Sequence, residues 1–452
     1  MRSPLRGLGR TGTSRRTGLV AAVLLAAASA AVLAAPSGEA ASGIPGAAEG
    51  IMCEQTATPA APSFALQAGS GYVSTPDGNA IYMWSYTSTG RGFQLPGPTL
   101  CVDSGVTVTV TLRNTLREAT SIVFSGQSDV TADGKPAGPV LDSTGKLVSL
   151  VPAAPASGGA VTYTFTAGSP GTYLYSSGTD VAKQRELGLY GALVVRPVGA
   201  PKQANTDASS AFSKEFLYLV SSVDPNLHAA VELGRAYDFT TITARYFFIN
   251  GRSMPDTLAP NNAAWLPAQP YGSLLHISAD PATGAAHHAP ALVRYLDAGR
   301  VNYPFHPHGS SQIVVNRDGA PTHDATGGDA SYGKFLLDVG PGQSIDSLEN
   351  WKLEYDPTNN KIPSDIQLPQ LQDQIVGPGT ETWFSENPYL GATKGEVPTG
   401  VVQNNQCGEY YHVAHSHALY EATNFGASFG GMMTLIRVDP PGNFDCAGSD
   451  YQ

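Results

Sequence analysis

His415 and His417 are separated by a single residue, and so are His306 and His308. In an extended strand alternate residues share a face, so each pair presents two imidazoles to one side, and Ser416 points to the other. The four can converge on one metal only if two stretches far apart in the chain become neighbouring strands. Both stretches, Tyr303-Pro304-Phe305-His306-Pro307-His308-Gly309 and Tyr411-His412-Val413-Ala414-His415-Ser416-His417, sit in glycine- and β-rich surroundings that suit this. Imidazole binds copper, zinc, iron and nickel alike, so the residues alone do not name the metal.

The rest of the chain also reads as β-structure. Its 452 residues are enough for two or three domains. With 50 glycines, 34 prolines and 14% charged residues, it has the composition of short strands joined by many turns, and clear amphipathic helical stretches are few. A formal charge of -11 argues against nucleic acid or an anionic membrane as the main partner.

The N-terminus carries Arg2, Arg6, Arg10, Arg15 and Arg16 without an acidic residue, followed by an apolar, alanine-rich run from Leu19 to Leu33. This pattern is an export signal, residues 1–34, with cleavage after Ala34. Ser14-Arg15-Arg16 before Leu19 partly matches a twin-arginine signal, although Gly18 stands where a bulky apolar residue is usual. No later run is long enough to span a membrane, so the expected product is secreted. That compartment permits disulfides, and pairing within each half, Cys53 to Cys101 and Cys407 to Cys446, is the simplest scheme.

Residues 35–63 are rich in Ala, Pro, Gly and Ser and read as a flexible segment. Strand-like runs follow at Gly71 to Val73, Ile81 to Tyr86, Val106 to Leu112, Val161 to Phe165 and Tyr190 to Val195, with sandwich-like spacing and an aromatic corner at Gly171 to Tyr175. Residues 199–213 form a polar, Pro/Ala-rich linker. Further strands are expected at Glu215 to Val220, Tyr246 to Ile249, Ala291 to Leu296 and Gln312 to Asn316. Between them lie long Pro/Asn/Gly/Asp-rich stretches, Pro255 to Pro270, Ala320 to Gly333 and Asp356 to Thr399, which are either functional covers or disordered.

Four segments, in order, resemble the multicopper oxidases: Leu95-Pro96-Gly97-Pro98-Thr99-Leu100, Gly188-Leu189-Tyr190-Gly191-Ala192-Leu193-Val194-Val195, Phe305-His306-Pro307-His308-Gly309, and His415-Ser416-His417 with Gly431-Met432-Met433. The similarity is to the two-cupredoxin-domain type, which resembles laccases and nitrite reductases, and it runs from about Ala65 to Val438. It implies an all-β fold of two cupredoxin-like Greek-key β-sandwich domains, 64–198 and 214–452. It also implies a blue copper that passes electrons to a trinuclear cluster held by four His-x-His pairs.

Carried over residue by residue, His306, His308, His415 and His417 match the half of that cluster contributed by the last domain. The first-domain half is absent: Val123-Phe124-Ser125-Gly126 stands for His-Trp-His-Gly, and Tyr175-Ser176-Ser177-Gly178 for Tyr-His-Ser-His. The blue-copper set is altered as well. Ser416 replaces the cysteine, Tyr303 replaces a histidine, and Glu421 stands near where another histidine falls. Met432 or Met433 corresponds to the axial position, where a methionine lacking the other ligands is ordinarily packing. A hard, protonated hydroxyl does not substitute for a soft thiolate.

Two functional readings follow. The first is a secreted copper protein that holds fewer ions than a complete multicopper oxidase, at His306, His308, His415 and His417, and oxidises a small extracellular substrate. The second is a non-catalytic binding or structural protein that keeps the fold, with relic histidines. Clusters of the two-domain type form between subunits of a homotrimer. With only the second-domain half present, a trimer is compatible but not required. His228, His276, His323 and His412 read as isolated residues, solvent-exposed or hydrogen-bonded in the core, and His287-His288 precedes a strand.

Overall fold

The computed structural model describes residues 49–279, 290–309, 312–351 and 410–439. Within them the chain is all-β, and its strands form two pairs of packed sheets and a small two-stranded ribbon, Val140–Leu141 with Leu147–Ser149. In the first pair, Ala80–Ser88, Ser63–Ser74, Thr107–Asn114 and Ala160–Thr166 lie side by side in that order, facing a sheet of Leu100–Asp103, Tyr190–Arg196, Gly171–Ser176 and Val123–Phe124. In the second pair, Tyr246–Ile249, Glu215–Val223, Ala291–Asp297, Ser344–Glu349 and Gln312–Arg317 face Leu275–Ser278, Met433–Asp439, Tyr410–Ser416, Tyr303–Pro307 and Leu337–Val339.

The two sandwiches share one plan. In each, an antiparallel pair opens the first sheet, and its long strand then pairs in parallel with a later one: Ser63–Ser74 with Thr107–Asn114, and Glu215–Val223 with Ala291–Asp297. The second sheets also correspond, each with a parallel edge pair, Leu100–Asp103 beside Tyr190–Arg196 and Leu275–Ser278 beside Met433–Asp439. This mixed, Greek-key-like arrangement is that of cupredoxin sandwiches.

Alternation explains why these residues form these strands. Thr107–Asn114 buries Val108, Val110 and Leu112 while the intervening threonines are half-exposed or exposed, so one face packs on the core and the other meets the edge of water. The first core gathers Phe64, Leu66, Val110, Phe124, Tyr163, Tyr175 and their neighbours. The second gathers Phe216, Tyr218, Val293, Tyr295, Phe305 and Ile436. A third cluster, with Leu95, Leu174 and Tyr190 from one sandwich and Leu217, Leu219 and Phe248 from the other, joins the two.

Two stretches behave differently from their composition. Of residues 199–213, Ala204 and Phe212 are buried against Leu292, Val315 and Leu348 of the second sandwich. The stretch from Pro255 to Pro270 is ordered around the buried guanidinium of Arg252, which donates to the carbonyls of Gln269 (2.8 Å) and Ala259 (2.7 Å). The Cys53–Cys101 disulfide is formed. Cys407, Cys446, His287, His288 and the stretch from Asp356 to Thr399 lie outside the described residues. Among the described residues, no helix is long and apolar enough to cross a membrane.

Candidate metal centre

Strand Tyr303–Pro307 pairs antiparallel with Tyr410–Ser416, setting His306 opposite His415 and Phe305 opposite Ser416. Backbone bonds from His308 N to Val413 O (2.9 Å) and from His417 N to Pro304 O (2.7 Å) continue the ladder past both ends. In this register all four histidines share one face. Their ring centroids are 4.6 Å apart for His306 and His308, 5.0 Å for His308 and His415, 5.4 Å for His306 and His417, and 6.3 Å for the stacked His415 and His417. His417 is exposed and the other three are half-buried, so the group opens to solvent.

Backbone carbonyls fix two of the tautomers. His306 Nδ1 lies 2.6 Å from Phe335 O and His415 Nδ1 lies 2.7 Å from Ser416 O. A carbonyl only accepts, so each Nδ1 carries a proton and a neutral ring presents its lone pair at Nε2, which is the support that metal-binding histidines ordinarily have. His308 Nε2 sits 2.9 Å from His415 Nε2 and therefore donates to it.

Burial, reinforced by the neighbouring imidazoles, pushes His308 down to about 4. Burial also lowers His415, against the opposing pull of its bond to Ser416. Both rings are thus neutral near pH 7, which is the ligand form. The donor set, uncharged nitrogen with two rings oriented through Nδ1, fits copper or zinc. The spacing is that of hydrogen-bonded rings, and among the described residues no three His, Cys, Asp or Glu side chains stand ready around an ion. Metal binding requires His308 to give up its Nε2 proton and the His308–His415 contact to open.

Behind this face, Ser416 is fully buried and its Oγ donates to Glu421 Oε2 at 2.5 Å. Burial raises the Glu421 carboxyl, and repulsion from Asp338 adds to the rise despite bonds from Ser416 and Tyr420. Tyr303 is fully buried, and burial holds its phenol well above the ordinary range. Met432 belongs to the second core, and its backbone bridges Glu421 and Ser416. Hydroxyl, carboxyl and phenol thus stand at the positions where a blue copper needs thiolate and imidazole. Copper-loaded, desalted protein is therefore expected to lack intense blue thiolate-to-copper absorption. A strong blue band surviving desalting refutes this account of Ser416.

The corresponding strand pair of the first sandwich places Phe124 opposite Tyr175 and Val123 opposite Ser176. Around it runs a network of neutral groups. Ser121, Ser149 and Thr179 bond one another through their hydroxyls, and Thr120 and Ser177 both donate to Gln184 Oε1. With no imidazole, thiolate or carboxylate among these residues, the chemistry does not fit a transition metal.

The structure brings together all four histidines expected from the sequence. It places Glu421 against Ser416, and it adds Phe335, whose carbonyl orients His306. Nothing in the sequence marks Phe335, which contributes only a main-chain oxygen from the bend between Tyr332–Lys334 and Leu337–Val339. Of the other described histidines, His228 Nδ1 contacts Tyr82 O, His323 pairs with Asp207, His412 stacks on Trp351, and His276 lies between two carboxylates.

A sequence model of the multicopper oxidase family matches residues 85–199. Among solved structures, the fold is similar to the blue copper oxidase of Nitrosomonas europaea, with a TM-score of 0.54, 16% identity, and 84% of this chain and 85% of that one covered. It is similar also to the multicopper oxidase mgLAC, with a TM-score of 0.53, 17% identity and coverage of 86% and 89%. No curated protein sequence matches the chain. At such identities the structural likeness is one of fold.

Proposed function

For a chain that has the two-cupredoxin fold of the multicopper oxidases, with degenerate copper ligands, we propose copper binding at His306, His308, His415 and His417. On this reading the protein is secreted and oxidises a small extracellular substrate with fewer ions than a complete oxidase. The observation that carries it is the convergence of four imidazoles on one half-open face, two of them with Nδ1 bonded to a main-chain carbonyl. Copper supplies one-electron redox chemistry when bound. The chain's own part is to orient the rings, to hold His308 and His415 neutral, and to leave His417 accessible from outside. Because Ser416 offers a hydroxyl and no thiolate, copper held by these histidines would be open to a substrate only at the histidine face. Domains at 64–198 and 214–452, joined through 199–213, belong to the same proposal, as does export through residues 1–34. A homotrimer is compatible with it and not required.

The 2.9 Å contact between His308 and His415 supports a second reading, in which the rings only hydrogen-bond each other. Elemental analysis of copper-loaded, desalted protein separates the two. Wild type is expected to retain copper, and His415→Ala with His417→Ala is expected to lose it, because half the ligands go. The apo forms should melt within a few degrees of each other, since water can replace a partner on an open face. If wild type retains neither copper nor zinc at micromolar concentration and the double variant loses about 1–3 kcal/mol per histidine, the rings are structural and the proposal fails.

A further inference from the structure

Residues 49–54 cross from one sandwich to the other. Ile51 N donates to Glu215 O (2.9 Å) and Asn261 Nδ2 to Gly50 O (2.9 Å), and Met52 is buried beside Tyr271, all on the second sandwich. Glu54 N then donates to Thr99 O (2.7 Å), and Cys53 is bonded to Cys101, both on the first. The backbone lies tight against the sheet. Gly50 has φ +81°, and a Cβ there would stand 2.9 Å from Glu215 O, so only glycine suits the position.

The second-sandwich end is fastened through His276. Its Nδ1 lies 2.7 Å from Glu49 Oε2 and its Nε2 lies 2.6 Å from Asp439 Oδ2, with the ring buried. A carboxylate only accepts, so both contacts are hydrogen bonds only when both ring nitrogens carry protons. A neutral ring would turn one lone pair toward a carboxylate. The other charges facing His276 among the described residues are Arg437, which donates to Asp439 at 2.9 Å, and Lys214.

We propose that residues 49–54 are a pH-gated strap, fastened to the second sandwich while His276 is an imidazolium and released at that end when it is neutral, with Cys53–Cys101 keeping the other end tethered. Burial pulls the His276 value down, but the bonds and charges of Asp439 and Glu49 outweigh it and hold it above 6.5. The fastening is therefore complete below the ordinary histidine value and is lost as pH rises through the raised one. Glu49 and Asp439 work in the opposite sense. Burial pushes each up, His276 outweighs it and holds each low, and the fastening fails in acid only as pH falls through those lowered values.

Hydrogen exchange on the full-length, oxidised, metal-free protein tests this, with rates corrected for intrinsic pH dependence. Protection of Ile51 and its neighbours should fall at least tenfold between pH 6 and pH 9, while Leu217 to Ser221 in the adjoining strand stays protected. Glu49→Gln removes one carboxylate from the half-exposed side and leaves Asp439 in the core, so the variant folds. It should show low strap protection already at pH 6. Equal protection at both pH values, equal protection in the variant, or a parallel loss in the adjoining strand each overturns the proposal.

Discussion

Arg294→Met is expected to cost about 3–5 kcal/mol, the range for removing one partner of a buried ionic group. Arg294 is fully buried. It donates to Glu215 Oε1 (2.7 Å), to Asp346 Oδ2 (3.0 Å) and to Thr172 Oγ1 (3.1 Å). Arg196 closes on Glu215 Oε2 at 2.6 Å, so the network links Thr172 and Arg196 of the first sandwich to three strands of the second. Methionine fills much of the space but leaves Asp346 and half of Glu215 without their cation. Further replacement of Glu215 by Gln and Asp346 by Asn should recover part of the loss, because the charges that need compensation are then gone. Burial pushes the Glu215 carboxyl up, but the Arg294 and Arg196 charges outweigh it and hold it low. Its contribution is present above the ordinary glutamate value and lost as pH falls through the lowered one. The gap between wild type and Arg294→Met should accordingly be widest near pH 7 and narrow in acid. Denaturant midpoints at both pH values measure it, and a variant within about 1 kcal/mol of wild type at pH 7 refutes the network's role.

Strands marked by alternation or by a β-branched and aromatic run were legible in the sequence, and a strand built largely of small residues was not. Val106 to Leu112 alternates cleanly and emerges as Thr107–Asn114. Ser63–Ser74 is the longest strand described, yet only Gly71 to Val73 reads as strand, because Ala65, Ala68, Gly69 and Ser70 have little β character. Partners far apart in sequence fix such a strand. It is held between Ala80–Ser88 on one side and Thr107–Asn114 on the other.

The centre divides in the same way. The two His-x-His pairs were legible because strand periodicity places alternate residues on one face, and one antiparallel register then places His306 beside His415. Ser416 and Tyr303 were legible as departures from a family pattern. Their consequence, a buried hydroxyl bonded to Glu421, depends on a turn from Ala418 to Thr423 that no spacing specifies. His276 reads as an isolated histidine because Glu49 and Asp439 approach it from opposite ends of the chain. The polar stretch from Pro255 to Pro270 offers no periodicity either, since its carbonyls are gathered by a side chain just outside it.

That side chain supports the other large prediction. Asn250 (φ +55°) and Gly251 (φ +77°) make a tight turn in which a Cβ on Gly251 would stand 2.6 Å from Leu95 O, and the turn drives Arg252 inward until it is fully buried. Its guanidinium donates to main-chain carbonyls, those of Gln269, Ala259, Asp256 and Pro260. Burial lowers it to about 10, which still leaves it charged at neutral pH. The stretch it gathers carries Gln269, which bonds Ser74 on the first sandwich, and Ala268, whose carbonyl accepts from Leu95 N. Losing the guanidinium therefore strands several buried carbonyls and loosens the junction between sandwiches. Arg252→Met is expected to cost about 3–5 kcal/mol, and Arg252→Lys to recover less than half, because one ammonium cannot span carbonyls that a planar fork reaches together. Proteolysis should cut first within 253–272 in both variants and spare wild type under the same conditions. An Arg252→Met protein with a wild-type midpoint and an uncut stretch shows instead that the carbonyls find other donors, and that Arg252 does not organise the junction.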